Sequence, residues 1–331
     1  MSNETLSSNI FTEQVSRKPN LYPWTEEFIE SMHNGFWTDK EFNFKSDLHQ
    51  FKTVLTDQER EIIVRTLSAV GQIEVAVKTF WAKLGENLPH PSLQDLGYVM
   101  ANTEVIHNNA YERLISILDM EDIFEENLKL EWIQNRVKYL KKYTHRFYKD
   151  SKKQYLYAII LFTLFVENVS LFSQFLIMMS FNKHKNVFKG ISNAVEATSK
   201  EENLHGMFGI DVINIIQTEH PEWFGEETEA VITQACRDAY DAECEVVDWI
   251  FEAGELEFLP AANVKEFIKH RFNNSLAAIG MPRIFDVSDA LLEETDWFDN
   301  EVIATKHVDF FDKRSINYNK RSASVTSEDL F

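Results

Sequence analysis

Two pairs of side chains about a hundred residues apart have the types and spacing of metal ligands: Glu104-Val-Ile-His107 and Glu202-Asn-Leu-His205. On a helix, residues three apart share a face, so in each pair the carboxylate and the imidazole can address one ion. A single Glu-x-x-His is common on solvated helix surfaces and means little. Two of them, joined by one more Glu from each of two other helices, make the ligand set of a dinuclear metal site inside a four-helix bundle. The chain offers both carboxylates. Glu167 is the only charged residue between Leu156 and Phe181, and Glu74 is the only acid between Leu67 and Trp81. Alone in such surroundings an ionised carboxylate would cost several kcal/mol or take up a proton. Four carboxylates and two neutral imidazoles around two divalent ions carry no net charge, which a buried cluster requires.

The rest of the chain supplies the scaffold these ligands need. At 331 residues it can bury a large core, and 10 Gly and 7 Pro are few breakers for that length. Helical periodicity recurs and no stretch alternates like a hairpin, so the expected fold is all-α, a ferritin-like bundle with additional flanking helices. Helices are expected near 55–85, 95–119, 128–148, 153–181, 187–210, 226–253 and 260–278. The domain reading is a loose segment over 1–20, a dinuclear-metal domain over 21–312 and a flexible tail over 313–331, too poor in apolar residues to fold alone.

Other classes are disfavoured. With 33 basic and 53 acidic residues the net charge is −20, whereas nucleic acid binding needs a basic stripe. The run from Leu156 to Phe181 could span a bilayer by length, but Glu167, Asn168 and Gln174 near its middle fit a buried core helix better. No secretory signal is visible at the N-terminus, and Cys236 and Cys244 lack the spacing of a zinc site, so a cytoplasmic protein with reduced thiols is expected.

From about Tyr22 to the C-terminus the sequence resembles the small, radical-generating subunit of class I ribonucleotide reductases. The resemblance rests on Phe36-Trp37, on one acid before the first Glu-x-x-His, on Tyr111 one turn after His107, on Glu167 in its apolar helix, on Glu201-Glu202-x-x-His205, and on a tail ending in Phe331. It puts the metal ligands at Glu74, Glu104, His107, Glu167, Glu202 and His205. It implies two ions that are oxidised by an oxygen species, and a one-electron oxidising equivalent passed to a cysteine of a large catalytic subunit that makes deoxyribonucleotides. It also implies a homodimer, and a tail, Glu328-Asp-Leu-Phe331, that docks on the large subunit.

Several residue roles follow from the resemblance, each beside a plainer reading. Trp37, Glu201 and His107 would form a hydrogen-bonded route out of the metal site; the plainer readings are core packing for Trp37 and a solvated helix acid for Glu201. Tyr318 in the tail would carry the radical across the subunit interface, or do nothing. Tyr111 stands where most members store the radical. Two departures bear on it: Glu74 stands where Asp is usual, and Thr198 stands where the pocket is usually apolar. A first-position Glu looks like the manganese-using subgroups, so Mn/Mn is favoured over Mn/Fe and Fe/Fe. Lys78, four residues after Glu74, would draw an anionic oxidant toward the metals; its plainer reading is a surface i,i+4 pair. Two alternatives remain on the same scaffold, a stand-alone dimetal oxidase and a non-catalytic metal-storage bundle.

Overall fold

The computed structural model describes residues 9–142 and 151–302, without the side chains of residues 74, 75, 140 and 141. Fourteen α-helices occur in these residues. They are α1 (Thr25–Gly35), α2 (Lys45–Thr53), α3 (Asp57–Ala82), α4 (Leu84–Asn87), α5 (Pro91–Ile117), α6 (Glu121–Asn127) and α7 (Glu131–Lys141), followed by α8 (Ser151–Ile160), α9 (Leu171–Lys185), α10 (Lys189–Glu219), α11 (Glu226–Phe251), α12 (Ala261–Ala278), α13 (Asp289–Leu292) and α14 (Asp296–Val302). No strand is found among the described residues, and the expected all-α class holds. Residues 1–8, the region of Tyr318 and the C-terminal tail lie outside the description, as does the end of the helix expected over 128–148.

Four long helices pack side by side around the ligand residues: α3, α5, the α8–α9 helix and α10. Local signals start them. Thr56 Oγ1 accepts from Glu59 N at 3.2 Å while Glu59 Oε2 accepts from Thr56 N at 3.0 Å, a capping box that opens α3. Pro91 occupies the first turn of α5, where its missing N–H costs nothing. The N-terminal end of α10 follows a chain reversal in which Asn186 and Phe188 take left-handed backbone angles. No side chain of its own caps it. Instead α2 reaches across, with Gln50 Oε1 accepting from Phe188 N at 2.8 Å and Asp47 Oδ1 from Ile191 N at 2.9 Å.

Between α8 and α9 the helix widens into ten residues of π-helix, Leu161–Ser170, which carry Glu167. The whole 35-residue helix Ser151–Lys185 is apolar enough to cross a membrane, yet 94% of its most apolar window is buried inside the protein. It is the core of the bundle, as the sequence led one to expect. Facing the π segment, α10 has Gly206 and Gly209 directly after His205. A Cβ on Gly209 would overlap Thr163, and one on Gly206 would press on Asn168. The two glycines thus let α10 come close enough to the π segment to share a metal site with it.

The outer helices α7, α11 and α12 cover this core. One polar network pins α7 and α11. Arg136 of α7, with no exposed surface, donates to both oxygens of Glu243 on α11 at 2.9 and 3.0 Å, to the Ala69 carbonyl of α3 at 3.0 Å and to Gln174 Oε1 of α9 at 2.9 Å. Ser170 Oγ adds a hydrogen bond to Glu243 at 2.7 Å. Every charge in the network is paired and hydrogen-bonded, the condition under which burial is tolerated.

Candidate metal centre

Glu104 and His107 from α5, Glu167 from the π segment, and Glu202 and His205 from α10 meet in the middle of the bundle, all with no exposed surface. Both imidazoles turn Nδ1 inward. His107 Nδ1 lies 3.2 Å from Glu104 Oε2 and 2.9 Å from Glu202 Oε1. His205 Nδ1 lies 2.9 Å from Glu104 Oε1, 3.0 Å from Glu202 Oε2 and 3.7 Å from Glu167 Oε2. Glu104 and Glu202 therefore each direct one oxygen to each imidazole, while Glu167 belongs to the His205 side alone. Donor atoms of Glu104, Glu167, Glu202 and His205 all lie within 4.8 Å of one another. Glu74 is placed on α3 by its backbone, but its side chain lies outside the described residues.

The cluster has the chemistry of a cation site. Glu167 Oε2 is buried and receives no hydrogen bond, and Glu104 Oε1 and Glu202 Oε1 each face only a buried Nδ1 at 2.9 Å, although a buried acceptor left bare is costly. Burial, helped by the negative charges of Glu202 and Glu104, drives the Glu167 carboxyl well above the usual carboxylate range. Burial works against charge on His107 as well, but the charge of Glu202 and the hydrogen bonds the ring donates to Glu104 and Glu201 outweigh it and raise the imidazole well above its ordinary value. Left to protons, the cluster must hold them in shared positions between oxygens and Nδ1 atoms; divalent ions in those positions satisfy the same atoms. The residues fit a metal centre.

The outward nitrogens differ. His107 Nε2 meets Glu201 Oε2 at 2.7 Å, and that oxygen also accepts from Trp37 Nε1 at 3.0 Å. Trp37 is 3% exposed and Glu201 5%, so neither is a solvated surface group, and the expected Trp37–Glu201–His107 line is continuous. His205 Nε2 meets Thr103 Oγ1 at 3.1 Å. Trp81 Nε1 donates to Glu167 Oε1 at 2.7 Å. Sequence reading missed Thr103 and Trp81. Trp81 lies seven residues after Glu74 on one face of α3, a spacing that could have flagged it; Thr103 reaches His205 across helices, and no local signal marks it. Tyr111 is buried on α5 one turn beyond His107, and Thr198 is buried on α10. Lys78 is half-buried, and its ammonium has no hydrogen bond or ion pair among the described residues. Cys236 and Cys244 are free thiols away from this centre.

A sequence profile described as ribonucleotide reductase, small chain, matches residues 15–291. The chain belongs to that family. Among curated relatives of this small-chain family, a probable ribonucleoside-diphosphate reductase small subunit from Invertebrate iridescent virus 3 is 23% identical, over 96% of this chain and 87% of the relative. The ribonucleoside-diphosphate reductase subunit beta of Halalkalibacterium halodurans is 21% identical, over 93% and 90%. Among solved structures, a putative class I ribonucleotide reductase from Bacillus halodurans superposes with a TM-score of 0.76 at 20% identity, over 84% of this chain and 99% of that one. The dimanganese(II) NrdF of Streptococcus sanguinis gives 0.73 at 14% identity, over 85% and 97%. An R2-like ligand-binding oxidase with a Mn/Fe cofactor gives 0.68 at 15% identity, over 82% and 96%. These structural likenesses share the fold. The small chain of ribonucleoside-diphosphate reductase is the radical-generating subunit, and that is the work of this chain.

Proposed function

We propose that the buried cluster is a dinuclear metal centre whose oxidising equivalent leaves the protein through Trp37. The observation that carries this reading is the pair of carboxylates, Glu104 and Glu202, each with one oxygen at His107 Nδ1 and the other at His205 Nδ1. Such carboxylates suit two neighbouring ions. One position would be held by His205, Glu167 and the two shared carboxylates. The other would be held by His107 and the same two carboxylates, with Glu74 of α3 as the remaining expected ligand. Two ions held there would supply a one-electron oxidising equivalent.

The protein's own groups then determine its route. Trp37 gives up the electron, and its Nε1 proton rests against Glu201 Oε2, so charge need not build up on the indole. Glu201 in turn holds His107 in the orientation that keeps Nδ1 turned to the ions. From Trp37 the equivalent passes to the large catalytic subunit, with Tyr318 as carrier across the interface and the tail ending Glu328-Asp-Leu-Phe331 as the docking segment. A homodimer in the cytoplasm, where Cys236 and Cys244 stay reduced, completes the assembly.

For the metals, Mn/Mn is favoured over Mn/Fe and Fe/Fe. The first-position Glu74 supports this, as does the fold shared with a dimanganese(II) protein and a Mn/Fe protein. Oxygen and nitrogen donors alone do not discriminate between these metals. Tyr111 is then a bystander rather than the radical store, and Lys78 guides an anionic oxidant. Elemental analysis after loading apoprotein with manganese and iron together tests the reading. About two manganese ions per chain are expected; two irons would return Tyr111 to the storage role, and no stoichiometric metal would refute the ligand set. Deleting residues 319–331 should abolish nucleotide reduction while leaving metal content intact, whereas a stand-alone oxidase would lose nothing.

A further inference from the structure

The two Glu-x-x-His pairs are alike in sequence and unlike in what stands behind them. Behind His107 is a carboxylate, Glu201, at 2.7 Å from Nε2. Behind His205 is a neutral hydroxyl, Thr103 Oγ1, at 3.1 Å from Nε2. The direction of that hydrogen bond is fixed by a third atom. The Thr103 hydroxyl donates to the carbonyl of Met100 at 2.7 Å, so towards His205 it accepts, and Nε2 carries the hydrogen. Nδ1 is thereby reserved for the face where Glu104 and Glu202 wait.

Trp81 performs the matching task for Glu167. Its indole N–H occupies Oε1 at 2.7 Å and leaves Oε2, which receives no hydrogen bond, turned toward the cluster. The ring also packs against His205, with centroids 5.8 Å apart. Trp81 has no exposed surface and Thr103 is 2% exposed, so water does not compete for either bond.

We propose that Thr103 and Trp81 are positioning residues of the His205 metal position, and that their neutral hydrogen bonds make it the weaker of the two, filled after the position at His107. The inference rests on the dinuclear reading above. The two imidazoles face the same pair of carboxylates, Glu104 and Glu202, and differ in what stands behind them. An anionic partner strengthens an imidazole as a ligand, whereas a hydroxyl orients it without adding charge.

The test is a titration of the full-length apoprotein with Mn(II) alone, following heat of binding and the magnetic resonance signal of free aqueous ion. The wild-type chain should fill in two steps. Thr103→Val keeps the shape and removes the acceptor; its second step should weaken by about 10–100-fold with the first unchanged, and Thr103→Ser should restore it. Trp81→Phe should also weaken the second step selectively. Melting of each apoprotein shows whether the variant is folded, and Thr103→Val, nearly isosteric, carries the argument where Trp81→Phe is not. Equal steps in the wild type, or a Thr103→Val variant that titrates like wild type or loses both steps together, would overturn the inference while leaving a dinuclear site standing. A wild-type chain that binds no manganese would overturn the dinuclear reading and this inference with it.

Discussion

Trp37 lies against the face of His107, with ring centroids 5.8 Å apart and planes 22° from parallel. The N–H groups of both rings reach a single atom, Glu201 Oε2, at 3.0 and 2.7 Å. One carboxylate oxygen thus stands between an oxidisable indole and an imidazole of the cluster. Trp37→Phe preserves the stacking and removes the N–H. It should lower nucleotide reduction with the large subunit by about two orders of magnitude or more, with metal content per chain unchanged. Turnover and elemental analysis of the same preparation check both halves.

Metal removal should cost stability, because the described cluster holds three carboxylates with no exposed surface. Ions that bind only the folded chain stabilise it by mass action, about 2.7 kcal/mol for one site at a hundred times its dissociation constant. Thermal melts of apoprotein with and without Mn(II) should therefore differ, and the gap should widen with ion concentration.

Glu167 was legible in the sequence because a single charge in an apolar run has to be explained, and the paired Glu-x-x-His motifs because helical spacing alone puts their members on one face. Trp81 and Thr103 were not, since each acts on a residue of another helix and gains meaning only from packing. Helix α1 lies outside the expected helices: Trp24 stands at its N-cap and offers no capping side chain. Helix α2 has few buried residues of its own and earns its place by capping α10. The widening over Leu161–Ser170 left no trace in a run that is apolar on every side, so no periodicity could reveal it.

Arg136 and Glu243 bind each other through two hydrogen bonds in a fully buried setting. Arg136→Ala strands the Glu243 carboxylate and should cost about 3–5 kcal/mol. Replacing both partners by Met and Leu should restore most of that loss, which denaturant titration of the single and double variants would show.

Gly209→Ala sets a methyl into Thr163 across the α10–π contact. Overpacking there should cost about 1–3 kcal/mol. Because Thr163 lies one turn before Glu167, the variant should also bind less metal, a second readout available from elemental analysis.

Lys185 ties the end of α9 to the start of α3 through Glu59. Burial tends to raise the Glu59 carboxyl, but the Lys185 hydrogen bond and the Thr56 backbone N–H hold it below its ordinary value of 4.5. A depressed folded value contributes stability above the unfolded value and loses it as pH falls through the folded one. Lys185→Met should therefore melt slightly below wild type at neutral pH, by at most about 1 kcal/mol for a partly exposed pair. The difference should shrink as pH falls below the unfolded value and vanish once pH is below the depressed folded value.

The apolar helix Ser151–Lys185 also has a consequence for synthesis. It leaves the ribosome before α10, α11 and α12, the helices that cover it, have been made. At about 5–20 residues per second, it waits some seconds with membrane-like composition and without those three covering helices. A carboxylate near the centre of such a span opposes insertion into a bilayer by about 2.5–3.5 kcal/mol. Glu167 therefore biases the nascent chain toward water long before any ion can reach it.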